Sequence, residues 1–337
     1  MKSSQSGNYI GKVSVIVPCY NEEDTITLLL DAIRSQTYPM DQIEVVIADG
    51  MSTDNTRKLI ESYQDTHPDL EIHLTDNQAR NIPAGLNCAL DVTHGDVIVR
   101  LDAHSVPYAD YIANCVIALK EGLGDIVGGI WIIHPGGEGW QARAISQAAK
   151  HPLGVGDARY RYTTHAQVVN TVPFGSFNAN IIENIGGYDE TLLTNEDYEF
   201  NTRARKAGFK IWLDPSIRSV YFARATLSDL AKQYWRYGYW KVRMLRAYPG
   251  SIRWRQALPP LFLLSLLVLL FLSIWVEAAT WIFMIEFSIY VLLLLATGAQ
   301  QSVKSRDFAL LLGIPIAIVI MHFSWGVGFL WSLFRKK

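Results

Sequence analysis

The chain is poor in cysteine, with only Cys19, Cys88 and Cys115 among 337 residues. An odd number without a CxxC pair excludes a paired disulfide framework and offers no zinc-ribbon spacing. These thiols are expected to be reduced packing residues of a cytosolic domain. Excess charge of either sign is also missing: the net charge is -2 and the pI about 6.4, so no nucleic-acid partner is expected. The opening residues, Met1 to Gly7, contain no apolar stretch of the kind a cleavable signal needs. Internal repeats and low-complexity tracts are absent too.

Charge nearly vanishes after Arg255. Residues 257–276 and 308–334 hold no formal charge, and 278–297 hold only Glu286. Each run is long enough for a membrane helix of roughly 20 residues, and three buried core helices in succession would be an unusual alternative. Glu286 would cost about 3 kcal/mol at a bilayer centre, so it should face another helix or an acceptor. Arg243, Arg246, Arg253 and Arg255 place the start of the first run on the cytosolic side. Three crossings would then leave Arg335, Lys336 and Lys337 outside, against the same rule. A re-entrant or interfacial segment would resolve this, and Pro259-Pro260 makes the first run a candidate.

What is present is an alternation of strand and helix patterns over the first 135 residues. Apolar runs at 13–17, 43–48, 71–74, 96–101 and 125–133 read as strands. Between them, Ile26, Leu29, Leu30 and Ile33 recur at helical spacing, as do Ile112, Cys115, Val116 and Leu119. Segments 54–63 and 82–92 complete the helices. Such alternation implies an α/β fold with a mostly parallel sheet covered on both faces. Residues 136–175 break the pattern at Pro135-Gly136-Gly137 and read as a loop, either mobile near a site or an ordinary surface excursion. From Arg224 to Arg255, eight basic residues and one acid, Asp229, are interleaved with Tyr234, Trp235, Tyr237, Tyr239, Trp240 and Tyr248. A basic, aromatic helix of this kind suits the headgroup interface.

Two carboxylate clusters carry the chemistry. Arg100-Leu101-Asp102-Ala103-His104 closes an apolar strand, so Asp102 should stand at its carboxyl end, where open α/β sheets bind ligands. An acid there can hold a metal, and the metal a nucleotide diphosphate. Thr194-Asn195-Glu196-Asp197-Tyr198-Glu199 opens a helical stretch that runs to Gly208. The dipole favours an ionised acid at a helix start, as a general base requires.

An ordered set of segments resembles the family-2 glycosyltransferases, which share the GT-A fold. The set comprises Val13 to Glu23, Ala48 to Thr56, Asp102-Ala103-His104, Gly186-Gly187-Tyr188-Asp189-Glu190 and Glu196-Asp197. It spans roughly residues 11 to 222. The Asp-Ala-His form and the apolar tail most resemble membrane glucosyltransferases of succinoglycan-type exopolysaccharide assembly. The expected plan is a polar tail (1–10), a GT-A domain (11–223), a basic-aromatic interfacial region (224–256) and a membrane domain (257–337). The spans are expected at 257–276, 278–297 and 308–334.

The resemblance implies an inverting, metal-dependent hexosyltransferase using a nucleotide-sugar, most simply a UDP-hexose. The acceptor it implies is polyprenyl-diphosphate-linked, at the cytosolic face of the inner (plasma) membrane. Asp49 would read the nucleoside, with Pro18, Tyr20 and Glu22 walling base and ribose and Arg80 the donor-side cation, unless Arg80 is a surface charge. Asp102 would hold Mn²⁺ or Mg²⁺. His104 stands where the family's second acid usually lies and would either ligate the metal or touch phosphate or metal-bound water; imidazole suits Mn²⁺ better than Mg²⁺. Asp197 would be the general base, with Glu196 or Glu199 steering the acceptor or the base. Gln233, Arg236 and Tyr237 approximate a Gln-x-x-Arg-Trp motif that in processive synthases meets acceptor sugar and diphosphate. Three spans are too few for a polymer channel, so single-sugar addition is expected; a processive synthase and a non-catalytic scaffold keeping the fold are the competing readings.

Overall fold

The computed structural model describes residues 11–335, so the expected polar tail and the last two lysines lie outside the described residues. The chain forms two compact units. The first runs to Ile130 and resumes over Thr164–Ser219; the second comprises Trp131–Thr163 and Val220 onward.

In the first unit the expected alternation appears as β1 (Val13–Cys19), α1 (Ile26–Arg34), β2 (Ile43–Asp49), α2 (Thr56–Thr66), β3 (Glu71–Asp76), α3 (Ile82–Leu90) and β4 (Val97–Arg100). Every residue of β1 and β2 is buried, the mark of strands covered on both faces. On α1 the stripe of Ile26, Leu29, Leu30 and Ile33 is buried, as its spacing requires. Next come β5 (Val106–Pro107), α4 (Tyr111–Lys120), β6 (Ile126–Pro135), α5 (Gly139–Ala148), α6 (Pro152–Val155), β7 (Gln167–Val168) and β8 (Ser176–Asn178). The remaining elements are α7 (Ile181–Ile185), α8 (Glu196–Lys206), β9 (Ile211–Ala223), α9 (Leu227–Ala247), α10 (Trp254–Leu272), α11 (Glu277–Ser305) and α12 (Leu310–Phe334). In the chain, β6 and β9 each continue from the first unit into the second.

The sheet order is β3-β2-β1-β4-β8-β6-β9-β5, with β7 on β9. Strands β3, β2, β1 and β4 are parallel, whereas β8 is antiparallel to both β4 and β6. Strand order therefore reverses between β1 and β4. Open α/β sheets bind ligands at such a switch point, beyond the carboxyl ends of the two strands, and Pro18, Tyr20 and Asp102 lie at those ends.

The second unit holds the three apolar helices. α10, α11 and α12 are each long and apolar enough to cross a membrane, with mean hydropathies of 1.9, 2.1 and 2.1. α10 runs unbroken through Pro259 and Pro260. Glu286 of α11 accepts a hydrogen bond from Ser265 Oγ of α10 at 2.6 Å, so it does face another helix. The amphipathic α9 packs on α12 through mutual notches: a Cβ on Gly238 would meet Trp325 O at 2.2 Å, and one on Gly328 would meet Trp235 O at 2.2 Å.

The stretch 136–175 departs from the loop expected of it. α5 buries Ala142, Ala144, Ile145 and Ala148, and Gly313 of α12 leaves room for Ala144. Small residues let the two helices approach closely, but they give little hydrophobic periodicity. For the same reason 131–163 groups with the C-terminal helices, whereas the sequence placed it inside a domain of 11–223.

Candidate active site

The site is organised around Arg100, the last residue of β4. Its side chain is only 2% exposed and bonds to three carboxylates: Asp102 Oδ1 at 2.8 Å, Glu196 Oε1 at 3.1 Å and Asp197 Oδ2 at 2.5 Å. The Phe174 ring lies 5.1 Å from its guanidinium. One strand tip and the first turn of α8 are thereby clamped together, joining the two acid clusters of the sequence. No local motif singles out Arg100 for this role. A signal was available: it ends an apolar strand that is buried at every position, where a charged side chain needs buried partners.

Asp197 sits in the first turn of α8, after Asn195 in a left-handed conformation with φ of 73°. Burial pushes its carboxyl up, and the Arg100 charge pulls it back; Glu196 and Asp102 then push it up again, so it titrates at about 7. A base poised near neutral pH is well matched to proton abstraction. Glu199 has a different fate. It is fully buried and paired with Arg203, which also donates to the carbonyls of Ile185 and Gly187. Glu199 thus anchors α8 to the Gly186-Gly187 turn through Arg203. In that turn a Cβ on Gly187 would meet Asn87 Oδ1 at 2.4 Å, and Asn87 bonds both N and O of Tyr188.

On the side of β1 and β2, Asp49 is fully buried. It accepts from Ser52 N and from Ser52 Oγ at 2.5 Å, and from Arg57 Nε at 2.8 Å. Arg57, which the sequence reading passed over, also pairs with Asp76. Pro18 is buried, Tyr20 is 46% exposed, and Gly50 lies against the Tyr20 ring. Arg80 is exposed, on a residue with φ of 54° just before α3. Gln233, Arg236 and Tyr237 belong to α9 of the second unit. There Gln233 Nε2 donates to Tyr221 Oη at 3.2 Å and Tyr237 Oη at 3.1 Å, while Arg236 is exposed.

The residues expected to hold a metal fit one. Three acids around one guanidinium leave two negative charges at full ionisation, which a divalent cation would balance. Asp102 gives one oxygen to Arg100 and keeps about a fifth of its side chain exposed. His104 Nδ1 lies 3.0 Å from Glu22 Oε1, the carboxylate–imidazole pairing that orients metal-binding histidines. Desolvation raises the Glu22 carboxyl, but bonds from His104 and Thr25 outweigh it and hold it below its ordinary value. A second group, Glu44, Glu71 and His73, lies at the opposite, amino end of β2 and β3. Lys12 Nζ already sits 3.0 Å from both of its glutamates, so an ammonium fills the place of a cation there.

Known proteins share this fold. Residues 14–186, just over half of the chain, match the family model for glycosyl transferase family 2. A Methanococcus voltae dolichyl N-acetyl-alpha-D-glucosaminyl phosphate 3-beta-D-2,3-diacetamido-2,3-dideoxy-beta-D-glucuronosyltransferase is 28% identical, over 96% of this chain and 97% of its own. The succinoglycan biosynthesis protein ExoA of Rhizobium meliloti (strain 1021) is 29% identical, over 96% of each. Among solved structures, the mannosyltransferase PcManGT of Pyrobaculum calidifontis, in complex with GDP-Man and Mn²⁺, has a TM-score of 0.59 at 21% identity. That match covers 98% of this chain and 89% of the other, and it shows a shared fold. With a mixed, largely parallel GT-A sheet, long apolar C-terminal helices and this family match, the chain belongs to glycosyl transferase family 2 and is an inverting glycosyltransferase.

Proposed function

We propose that the enzyme moves one hexose from a UDP-sugar to a polyprenyl-diphosphate-linked acceptor at the cytosolic face of the plasma membrane, in exopolysaccharide or surface-glycan assembly. The observation that carries this reading is the clamp at Arg100, which holds a near-neutral base, Asp197, beside Asp102. The acceptor hydroxyl attacks the anomeric carbon as the bond to the diphosphate breaks on the opposite face. The hydroxyl proton passes to Asp197, and UDP leaves. Glu196, on the same guanidinium, steers the acceptor. Asp102 and His104 would hold Mn²⁺ or Mg²⁺, which when bound stabilises the charge of the departing diphosphate. Pro18, Tyr20 and Glu22 form the donor wall, Asp49 shapes the Ser52 turn beside the nucleoside, and Arg80 supplies exposed positive charge. The names of the two relatives, one acting on a dolichyl-phosphate-linked sugar and one in succinoglycan biosynthesis, support the choice of acceptor and pathway class.

Thermal shift of the full chain in detergent tests the donor. UDP with Mn²⁺ is expected to raise the melting temperature more than GDP with Mn²⁺, and Asp102→Ala is expected to lose the UDP–Mn²⁺ effect. Stronger stabilisation by GDP, or full turnover in excess EDTA, would contradict the reading.

A further inference from the structure

In the second unit, no acid among the described residues neutralises the charge of Arg161. It closes the short 3₁₀ turn Arg159–Arg161 and is 8% exposed. Its guanidinium lies 4.8 Å from the ring centre of Trp131 and 5.5 Å from those of Tyr160 and Tyr221. Trp131 stacks on Tyr221 at 4.2 Å and meets Tyr160 edge-on at 4.9 Å. Tyr234 and Tyr237 of α9 are also close enough to act on the charge. Among the described residues no carboxylate pairs with Arg161; its contacts are aromatic rings.

A guanidinium always carries its proton, with five N–H donors in a fixed fork. Ring faces attract a cation but do not satisfy that fork. Burying a charge without a counter-ion is costly. Such a cage is suited to an anion that brings several acceptor oxygens, and phosphate matches the fork best. The cage also accounts for two residues of the Gln-x-x-Arg-Tyr motif. Gln233 ties the hydroxyls of Tyr221 and Tyr237 together, so these residues build the wall of the cage.

Resting on the acceptor proposed above, we infer that Arg161 grips the phosphate or diphosphate of the acceptor lipid inside this aromatic cage, the cationic role the motif would give to the exposed Arg236. The lipid source, rather than a free phosphate, follows from where the cage is built. Tyr237 immediately precedes Gly238, whose backbone abuts Trp325 of the membrane-length α12. A prenyl chain entering beside the apolar helices would deliver its phosphate to Arg161, with the rings flanking the first isoprene units.

The test measures binding, not transfer, so it is separable from the test of the catalytic reading. Full-length protein in zwitterionic nanodiscs is titrated with farnesyl diphosphate, farnesol, inorganic pyrophosphate and UDP. Farnesyl diphosphate is expected to bind far more tightly than farnesol or pyrophosphate. Arg161→Met should weaken it on the order of 10- to 100-fold, the loss of charge-assisted hydrogen bonds, while UDP affinity stays as in wild type. Arg161→Lys keeps the charge and guards against a folding defect; it should bind farnesyl diphosphate with intermediate affinity. Three results would overturn the inference: unchanged farnesyl diphosphate affinity in both variants, pyrophosphate binding as tightly as farnesyl diphosphate, or a matching loss of UDP affinity.

Discussion

Asp197→Asn is expected to bind UDP as wild type does and to turn over more slowly by a factor on the order of 10²–10⁴, the usual contribution of a general base. The amide keeps the shape of the carboxylate and can still meet Arg100, but it cannot take the acceptor proton. UDP affinity and initial rate, measured on one preparation, separate this role from a structural one, in which both would fall together. Wild-type turnover would pass the role to Glu196, since Glu199 is already committed to Arg203.

A pH dependence follows from the same residue. Activity needs the ionised base, so kcat/KM of the wild type should rise with pH through about 7. Stability runs the other way. The folded state holds the Asp197 carboxyl above its ordinary 3.8 and therefore favours the neutral form. That contribution is fully present below about pH 4 and is lost as pH rises through about 7. Asn cannot ionise, so Asp197→Asn should melt higher than wild type at pH 8 and alike at pH 4. A lower melting temperature at pH 8 would contradict this.

Arg100→Met carries the other large effect. Removing one partner of a buried ionic cluster leaves Asp102, Glu196 and Asp197 without their common cation, a change that typically costs about 3–5 kcal/mol. Thermal unfolding in detergent should show the loss, and Arg100→Lys, which keeps the charge without the fork, should lose less. Any activity that Arg100→Met retains should have its acid limb above pH 7, because Arg100 is what pulls the Asp197 carboxyl down. A Met variant as stable as wild type, with an unmoved limb, would show that the clamp is incidental.

The parts legible in the sequence are those with strong local patterns. Continuous apolar runs marked β1 and β2, the spaced Ile and Leu marked α1, and stretches with at most one charge marked α10 to α12. The places of Asp102 and Asp197 in the fold were legible because a strand end and a helix start are local features. Their common partner was not, since Arg100 and Asp197 are 97 positions apart and only the fold joins them. Strand β8 is three residues long and too short to show a period. α5 is packed through alanines whose buried face is set by α12, so its sequence carries little amphipathic signal. Arg161 looked like one more basic residue in a loop, because the rings that surround it come from β6, β9 and α9.

The most direct measurement is transfer of label from UDP-hexoses, each radiolabelled in its sugar, to a polyprenyl-diphosphate-linked saccharide by the purified protein in bilayers. The prediction is that, with one of these donors, label enters the solvent-extractable lipid fraction as a single added sugar of inverted anomeric configuration, and that Asp197→Asn slows this by a factor on the order of 10²–10⁴. Label that stays in the aqueous phase with every donor, although the protein binds UDP, would contradict it, as would a product that lengthens with time.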